Sequence, residues 1–536
     1  MRQTLTASRA MVTAPHHLAS QSAVAVLREG GNAIEAMVAA AATIAVVYPH
    51  MNAIGGDGFW IISEPGKPPV GIDACARAAQ MATADFYVAK GLSAIPGRGP
   101  LAANTGTGAI SGWMQALEQS ARAGGQMPVS RLLQDALWYA ENGAPVTQSQ
   151  VNFTTKFLTE LKDQPGFATQ FLDQGQVPQA DTLRKYPALA KTLKTLGEKG
   201  LDDFYRGTIA QAMAAEHERV GSPVRLIDLR EQHAAVVQPL SVRISGATLY
   251  NMTPPTQGLS SLQILAIFDR LRHRHQIKEA DGYAYLHALI EATKQAFKVR
   301  NRHITDPEVM AARGSDVAQF LSDAFLDQCA DAVDMQKALP WPEKPIPGDT
   351  IWMGTADASG RMVSYIQSVY WEFGSGLVLQ DTGVLWQNRG SSFSLDPRSH
   401  NVLEPSKKPF HTLNPAHARF DDGRHMVYGN MGGDGQPQTQ SAVFSRYAMY
   451  GQGLQQAVSA PRWLLGKTWG QETTTLKFEN RFSTQALEQM RKAGHDVEIF
   501  PEYSDTMGHA GAIVRQANGL YLAAADPRSD GVVAGF

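Results

Sequence analysis

An α+β fold, with a sheet core that the C-terminal part of the chain completes, is predicted by three observations. Segments 59–62 and 70–72 (Phe59-Trp-Ile-Ile62 and Val70-Gly-Ile72) read as the strands of a hairpin, residues 113–330 carry mostly helical patterning, and after Thr350 the character switches to short strands. Helix-rich sequence followed by strand-rich sequence argues that the late segment fills a sheet rather than forming a tail.

The elements follow in order. Residues 18–28 and 33–47 predict two helices separated by Gly30-Gly31-Asn32, which supplies a C-cap and a new N-cap. The second is alanine-rich and apolar all round, as a buried helix is. The hairpin turns around Glu64-Pro-Gly-Lys-Pro-Pro69. Further helices are expected at 132–142, 192–197, 209–219, 259–272 and 283–300. The basic run Arg270-Leu-Arg-His-Arg-His275 follows an apolar stretch and is the wet end of one of these helices. Two strands are expected at 350–357 and 361–368, joined at Ala358-Ser-Gly360.

At 536 residues the chain is too long for one ordinary core, so it forms two domains or one large layered assembly. The 48 Lys and Arg against 50 Asp and Glu leave no net field to draw in nucleic acid or acidic lipid, which excludes a polyanion-binding role. Two cysteines, Cys75 and Cys329, are too few for a disulfide framework or a thiolate metal site. The first twelve residues hold no signal-peptide core, and the most apolar stretch, 33–48, is shorter than a membrane span and contains Glu35. A soluble cytoplasmic protein with no membrane partner is expected.

The chemistry points to Thr350. The stretch Trp341-Pro-Glu-Lys-Pro-Ile-Pro-Gly-Asp-Thr350 reads as an exposed linker ending at the head of a strand, so a cut before Thr350 leaves the strand free to pack. Such a cut would put an α-amino group, titrating near ~8, beside the Thr350 hydroxyl as a built-in base. Thr350 is thus the candidate nucleophile of a self-cleaving amidase.

Several segments resemble the γ-glutamyltranspeptidase family of N-terminal-nucleophile hydrolases. They are Leu18-Ala-Ser-Gln-Ser-Ala-Val-Ala-Val-Leu-Arg-Glu-Gly-Gly-Asn-Ala33, Pro49-His-Met-Asn-Ala-Ile-Gly-Gly-Asp-Gly-Phe59, Thr253-Pro-Pro-Thr-Gln-Gly258, the strand pair running from Thr350 to Phe373-Gly-Ser-Gly376, Gly429-Asn-Met-Gly-Gly433 and Asp526-Pro-Arg-Ser-Asp-Gly531. Their collinearity over nearly the whole chain carries the resemblance.

The resemblance implies a four-layer αββα sandwich. It also implies one precursor cut between Asp349 and Thr350 into associated large (1–349) and small (350–536) fragments, with a pair of such heterodimers plausible. It implies no metal or other cofactor, and the fifteen histidines show no convincing ligand spacing. Gly432 and Gly433 match the family's paired glycines, whose N–H groups hold the oxyanion. Ser368 falls where the family has a threonine that bonds the nucleophile, and strand alternation places Ile366, Ser368 and Tyr370 on one face.

The substrate-binding positions depart from the family. Arg389 takes the place of an amide, Ser392 of a carboxylate and Tyr370 of an asparagine, so an ammonium is repelled and a carboxylate welcomed. The family's carboxylate-binding arginine aligns with Cys75, with Arg77 two residues on and on the same side if the strand persists. Its tandem serines become His411-Thr412, and Tyr370 with His411 should shrink the cavity. His411 serves equally as a structural hydrogen-bonding residue. The expected substrate is a short anionic amide whose carboxylate is held by Arg389 or Arg77. Within the family the pattern most resembles members that split oxamate into oxalate and ammonia. A γ-glutamyl hydrolase or transpeptidase, or a glutaryl-type acylase, is the alternative, and an uncleaved binding protein on the same fold a remoter one.

Overall fold

The computed structural model describes residues 2–343, 348–466 and 474–536. Two antiparallel seven-stranded sheets lie face to face. The first runs Val532–Gly535, Met11–Ala14, Asp349–Ala356, Met362–Tyr370, Asp57–Ser63, Val70–Ala74 and Ala235–Val237. The second runs Leu5–Ala7, Tyr521–Ala525, Ala510–Arg515, His425–Asn430, Ala416–Phe420, Ala247–Asn251 and Leu240–Ile244.

Strand alternation builds the layers. Ile351 and Met353 face a core shared with helices His17–Arg28, Ala33–Val47 and Ala109–Arg122, while the intervening Trp352 points between the sheets. There it packs with Phe59, Ile61, Ile366, Val427 and Ile513. The outer face of the second sheet packs Val242, Leu249, Met426 and Val514 against helices Gly258–Arg274, Tyr283–His303 and Gly435–Phe444. The result is helix, sheet, sheet, helix, the four-layer αββα sandwich expected from the sequence. Trp352 fits only because its neighbours lack side chains: a Cβ on Gly429 would lie 2.1 Å from the indole and one on Gly511 2.6 Å from it.

The helix over Ala33–Val47 has its N-cap at Asn32, whose side chain accepts from the Ile34 and Glu35 N–H groups while Glu35 accepts from the Asn32 N–H at 2.8 Å. All its residues are buried, as the alanine-rich composition requires. Helix Gly258–Arg274 ends in the predicted basic turn, where Arg270 pairs with Asp323 and Asp327 at the rim. Among the described residues no helix is long and apolar enough to cross a membrane.

The 113–330 stretch is mostly helical, as expected, and also holds the strands Ala235–Val237, Leu240–Ile244 and Ala247–Asn251, whose β-branched residues suit the sheets and along the last two of which burial alternates. One expectation needs correction. The segment before Thr350 is not an exposed linker where it meets the strand, because Gly348 and Asp349 are both buried and Asp349 already pairs with Tyr370. Residues 344–347 of the proline-rich stretch lie outside the described residues.

Candidate active site

Thr350 sits at a β-bulge. Asp349 pairs with Tyr370 but Ile351 with Gln367, so Thr350 faces an extra residue on the neighbouring strand. A bulge re-aims side chains, and here it gathers two hydroxyls on one carbonyl. Both Thr350 Oγ1 and Ser368 Oγ donate to the carbonyl oxygen of Asp349. Ser368 Oγ in turn accepts from the Tyr370 N–H at 2.7 Å. Ser368 therefore points at the bond preceding the candidate nucleophile. Since the Thr350 hydroxyl gives its proton to that carbonyl, its lone pairs are left to accept, and Gln436 Nε2 lies 3.4 Å away as donor. The Asp349 carboxylate accepts from the Thr350 N–H at 2.7 Å, and burial beside Glu372 pushes its pKa well up.

Gly348 shows what surrounds the carbonyl side. A Cβ built on it would lie 3.2 Å from Gly433 Cα, 3.2 Å from Thr412 Oγ1 and 3.4 Å from the Tyr370 ring. Three predicted site residues thus enclose the backbone just before Thr350. Gly432 (φ 107°) and Gly433 (φ 43°) both lie in the left-handed region, which side-chain-bearing residues rarely adopt. They turn the chain from strand His425–Asn430 into helix Gly435–Phe444.

Arg389 is fully buried against the same group. Its guanidinium carbon stands 3.4 Å above the Tyr370 ring centroid, Nη2 donates to Thr412 Oγ1 at 3.0 Å and Nη1 to the Phe410 carbonyl at 3.2 Å. Tyr370 itself has a φ of 85°, and this strained turn lays its ring beneath the cation. Asn388 fixes the approach, its N–H donating to the Val369 carbonyl at 3.2 Å and its Oδ1 accepting from the Trp371 N–H at 3.1 Å. Burial brings Arg389 down to about 10, which leaves it cationic at neutral pH. Its Nε has no acceptor, and among the described residues it forms no ion pair with a carboxylate. Ser392, one short 3₁₀ turn on, donates to the Phe410 carbonyl at 3.3 Å.

Arg77 is placed elsewhere. The strand ends at Ala74, so alternation does not carry through, and the half-exposed guanidinium pairs with Glu308 at 2.6 Å and Asp306 at 3.7 Å. His411 is held on a carboxylate: its Nε2 lies 3.1 Å from Asp57 Oδ2. Burial holds His411 well below its ordinary value, so a neutral ring donates to Asp57. Asp57 Oδ1 accepts from Ala76, Gly108 and Gln387 at 3.0–3.1 Å, yet burial still raises its pKa to about 6.

Among the described residues two clusters each bring three possible metal ligands together: Asp57, Cys75 and His411, and His287, Glu291 and His495. In the first, Asp57 is committed to N–H donors. In the second, the Lys294 ammonium lies 2.7 Å from Glu291 and the two imidazoles are joined at 2.9 Å, so hydrogen bonds and an ammonium fill the place of an ion.

Residues that motif reading passed over include Asp57, Gln257, Arg300 and Gln436. Asp57 and Gln257 lie inside the quoted glycine- and proline-rich segments, but their partners are far away in sequence, and no local pattern signals such contacts.

Comparison with known proteins gives the family. The family model described as Gamma-glutamyltranspeptidase matches residues 19–536. The chain is 52% identical over 537 residues, covering both chains fully, to the oxamate amidohydrolase proenzyme of Klebsiella pneumoniae subsp. pneumoniae. It is 37% identical, again over the full length of both, to the glutathione hydrolase-like YwrD proenzyme of Bacillus subtilis. The crystal structure of cephalosporin acylase from Bacillus halodurans superimposes with a TM-score of 0.90 at 30% identity, covering 100% of this chain and 97% of that one. The chain belongs to the γ-glutamyltranspeptidase family of N-terminal-nucleophile hydrolases.

Proposed function

We propose that this protein is a self-processing amidohydrolase that acts on a short amide bearing a carboxylate, converting oxamate and water to oxalate and ammonia. Cleavage after Asp349 frees the Thr350 amine, which takes the hydroxyl proton as Oγ1 attacks the amide carbonyl and passes it to the leaving nitrogen. The N–H groups of Gly432 and Gly433 receive the oxyanion. Water then releases the acid from Thr350.

The observation that carries this proposal is Arg389. A wholly buried guanidinium in direct contact with no carboxylate among the described residues, with only Asp57 near enough to attract it, stacked on Tyr370 and bonded to Thr412, suits an anionic substrate. The similarity to an oxamate amidohydrolase proenzyme supports the same choice. A γ-glutamyl substrate would bring an ammonium toward this cation, where Ser392 offers no charge to offset it. A cytoplasmic dimer of heterodimers completes the proposal.

The test has two steps. Mass spectrometry first reads the masses of fragments 1–349 and 350–536; a single intact chain would favour an inactive binding protein. Ammonia release from oxamate, succinamate, glutaramate and glutamine is then compared. Preference for oxamate is expected, and preference for glutamine would make this a γ-glutamyl enzyme.

A further inference from the structure

We infer that Gln257 sets the distance between the oxyanion loop and the carboxylate-binding arginine, and thereby selects the length of the acid; this rests on the substrate class proposed above. Gln257 belongs to Thr253-Pro-Pro-Thr-Gln-Gly258, and its side chain is completely buried. Its Nε2 donates to two carbonyls at once, Thr412 at 2.8 Å and Gly433 at 2.8 Å. Its Oε1 accepts from Arg300 Nη1 at 2.9 Å. A carboxamide oxygen cannot face a carbonyl, so Arg300 fixes which end of the amide points at the two loops. The same Arg300 nitrogen reaches Asp434 Oδ1 at 2.6 Å, immediately after Gly433.

The two carbonyls belong to the two halves of the substrate site. Thr412 carries the hydroxyl that holds Arg389 at 3.0 Å, and Gly433 is one of the paired glycines beside the nucleophile. Backbone bonds reinforce the tie on the Thr412 side: the His411 N–H donates to the Pro255 carbonyl at 2.8 Å and the Gln257 N–H to the His411 carbonyl at 3.0 Å. On the Gly433 side the carboxamide and Arg300 make the connection. One amide nitrogen therefore spans the gap between the group that neutralises the carboxylate and the group that receives the oxyanion.

That gap matters for a short acid. In oxamate the carboxylate is bonded directly to the scissile carbonyl carbon, whereas succinamate interposes two methylenes, each adding a bond of about 1.5 Å. Misplacing a reacting group by about 1 Å costs roughly a hundredfold in rate. Asparagine at 257 keeps both N–H donors but is one methylene shorter, and glutamate keeps the length but has no N–H to give. Either change loosens the two loops from each other.

The experiment measures kcat/KM for ammonia release from oxamate, malonamate and succinamate by wild type, Gln257→Asn, Gln257→Glu and Arg300→Lys, with processing checked by mass. The variants should lose roughly 10- to 100-fold on oxamate and much less on succinamate, so that the ratio between them falls by about tenfold or more. A uniform loss with an unchanged ratio would overturn the role of Gln257. If the Gln257 variants are not processed, the ratio is read in Arg300→Lys, which keeps a charge beside Asp434 but loses the Nε bond to Asn301 Oδ1 and the stacking on Phe297 that hold the donor in place. Failure of all three to self-cleave overturns the inference too, since the amide would then serve maturation. Wild-type preference for glutamine refutes the substrate class instead, preference for succinamate refutes the choice of oxamate, and both are read without any variant.

Discussion

Ser368 and Asp349 are joined across the strand pair by a hydrogen bond from the serine hydroxyl to the carbonyl oxygen of the bond before Thr350. Negative charge developing on that oxygen during an attack by Thr350 would be met by a donor already in place. Ser368→Ala should slow self-cleavage by roughly a hundredfold, while Ser368→Thr should preserve it. The fraction of uncut chain in freshly purified protein measures this, and unchanged processing in the alanine variant would leave Ser368 a structural role only.

Thr350→Ala should remain one chain of 536 residues without activity. Thr350→Ser, which keeps an oxygen nucleophile, should cleave slowly. Normal processing of the alanine variant would remove Thr350 from the mechanism.

The two candidate arginines should behave oppositely. Arg389→Gln should weaken oxamate binding by about 2 kcal/mol or more, because a buried charge-assisted contact is lost. Arg389→Lys should recover little of it, since a lysine offers neither the planar face stacked on Tyr370 nor the fork that reaches Thr412 and Phe410. Arg77→Gln should leave KM within about twofold, its guanidinium being occupied by Glu308 at the surface. Equal effects at both positions would contradict this assignment.

Asp57 gives a stability prediction with a definite sign. Its folded value of about 6 lies above the ordinary 3.8, so between these pH values the folded chain keeps a proton that the unfolded chain has released. Its contribution to stability is thus fully present below pH ~4 and lost as pH rises toward ~6, by about 3 kcal/mol in all. Asp57→Asn cannot titrate, so the Tm of wild type should fall relative to the variant across that window. A constant difference in Tm from pH 4 to 7 would show that burial does not hold the Asp57 proton.

Hydrolysis should also decline as pH falls below the value of the Thr350 amine, ordinarily near ~8 for a chain terminus. A rate profile governed by a group near ~4 would assign the base to a carboxylate.

Periodicity and caps made much of this fold legible. The helices at 18–28 and 33–47 are found at His17–Arg28 and Ala33–Val47, and the expected strand pair is found at Asp349–Ala356 and Met362–Tyr370. Local patterns say nothing of which strands become neighbours, so the pairing of Met11–Ala14 with both Asp349–Ala356 and Val532–Gly535 was not readable. In the site, the linker-to-strand junction at Thr350 suggested a nucleophile, and only the resemblance to the family assigned donors to Ser368 and Gly433 and a substrate cation to Arg389. Arg77 misled because alternation was extended past the end of a strand, and Gln257 was passed over because its partners at Thr412 and Gly433 are brought to it only by tertiary structure.

The interleaving of the sheets bears on how such an enzyme could be made. Both sheets combine strands from before and after Thr350, and the closing strand Val532–Gly535 is held by Met11–Ala14 from the opposite end of the chain. The buried bond before Thr350 is aligned with Ser368 and Gln436 only once these distant pieces have assembled. A cut at that bond would therefore act as a certificate of completed folding: half-folded chains would stay whole, and each pair of fragments would descend from a single parent molecule rather than exchange with its neighbours.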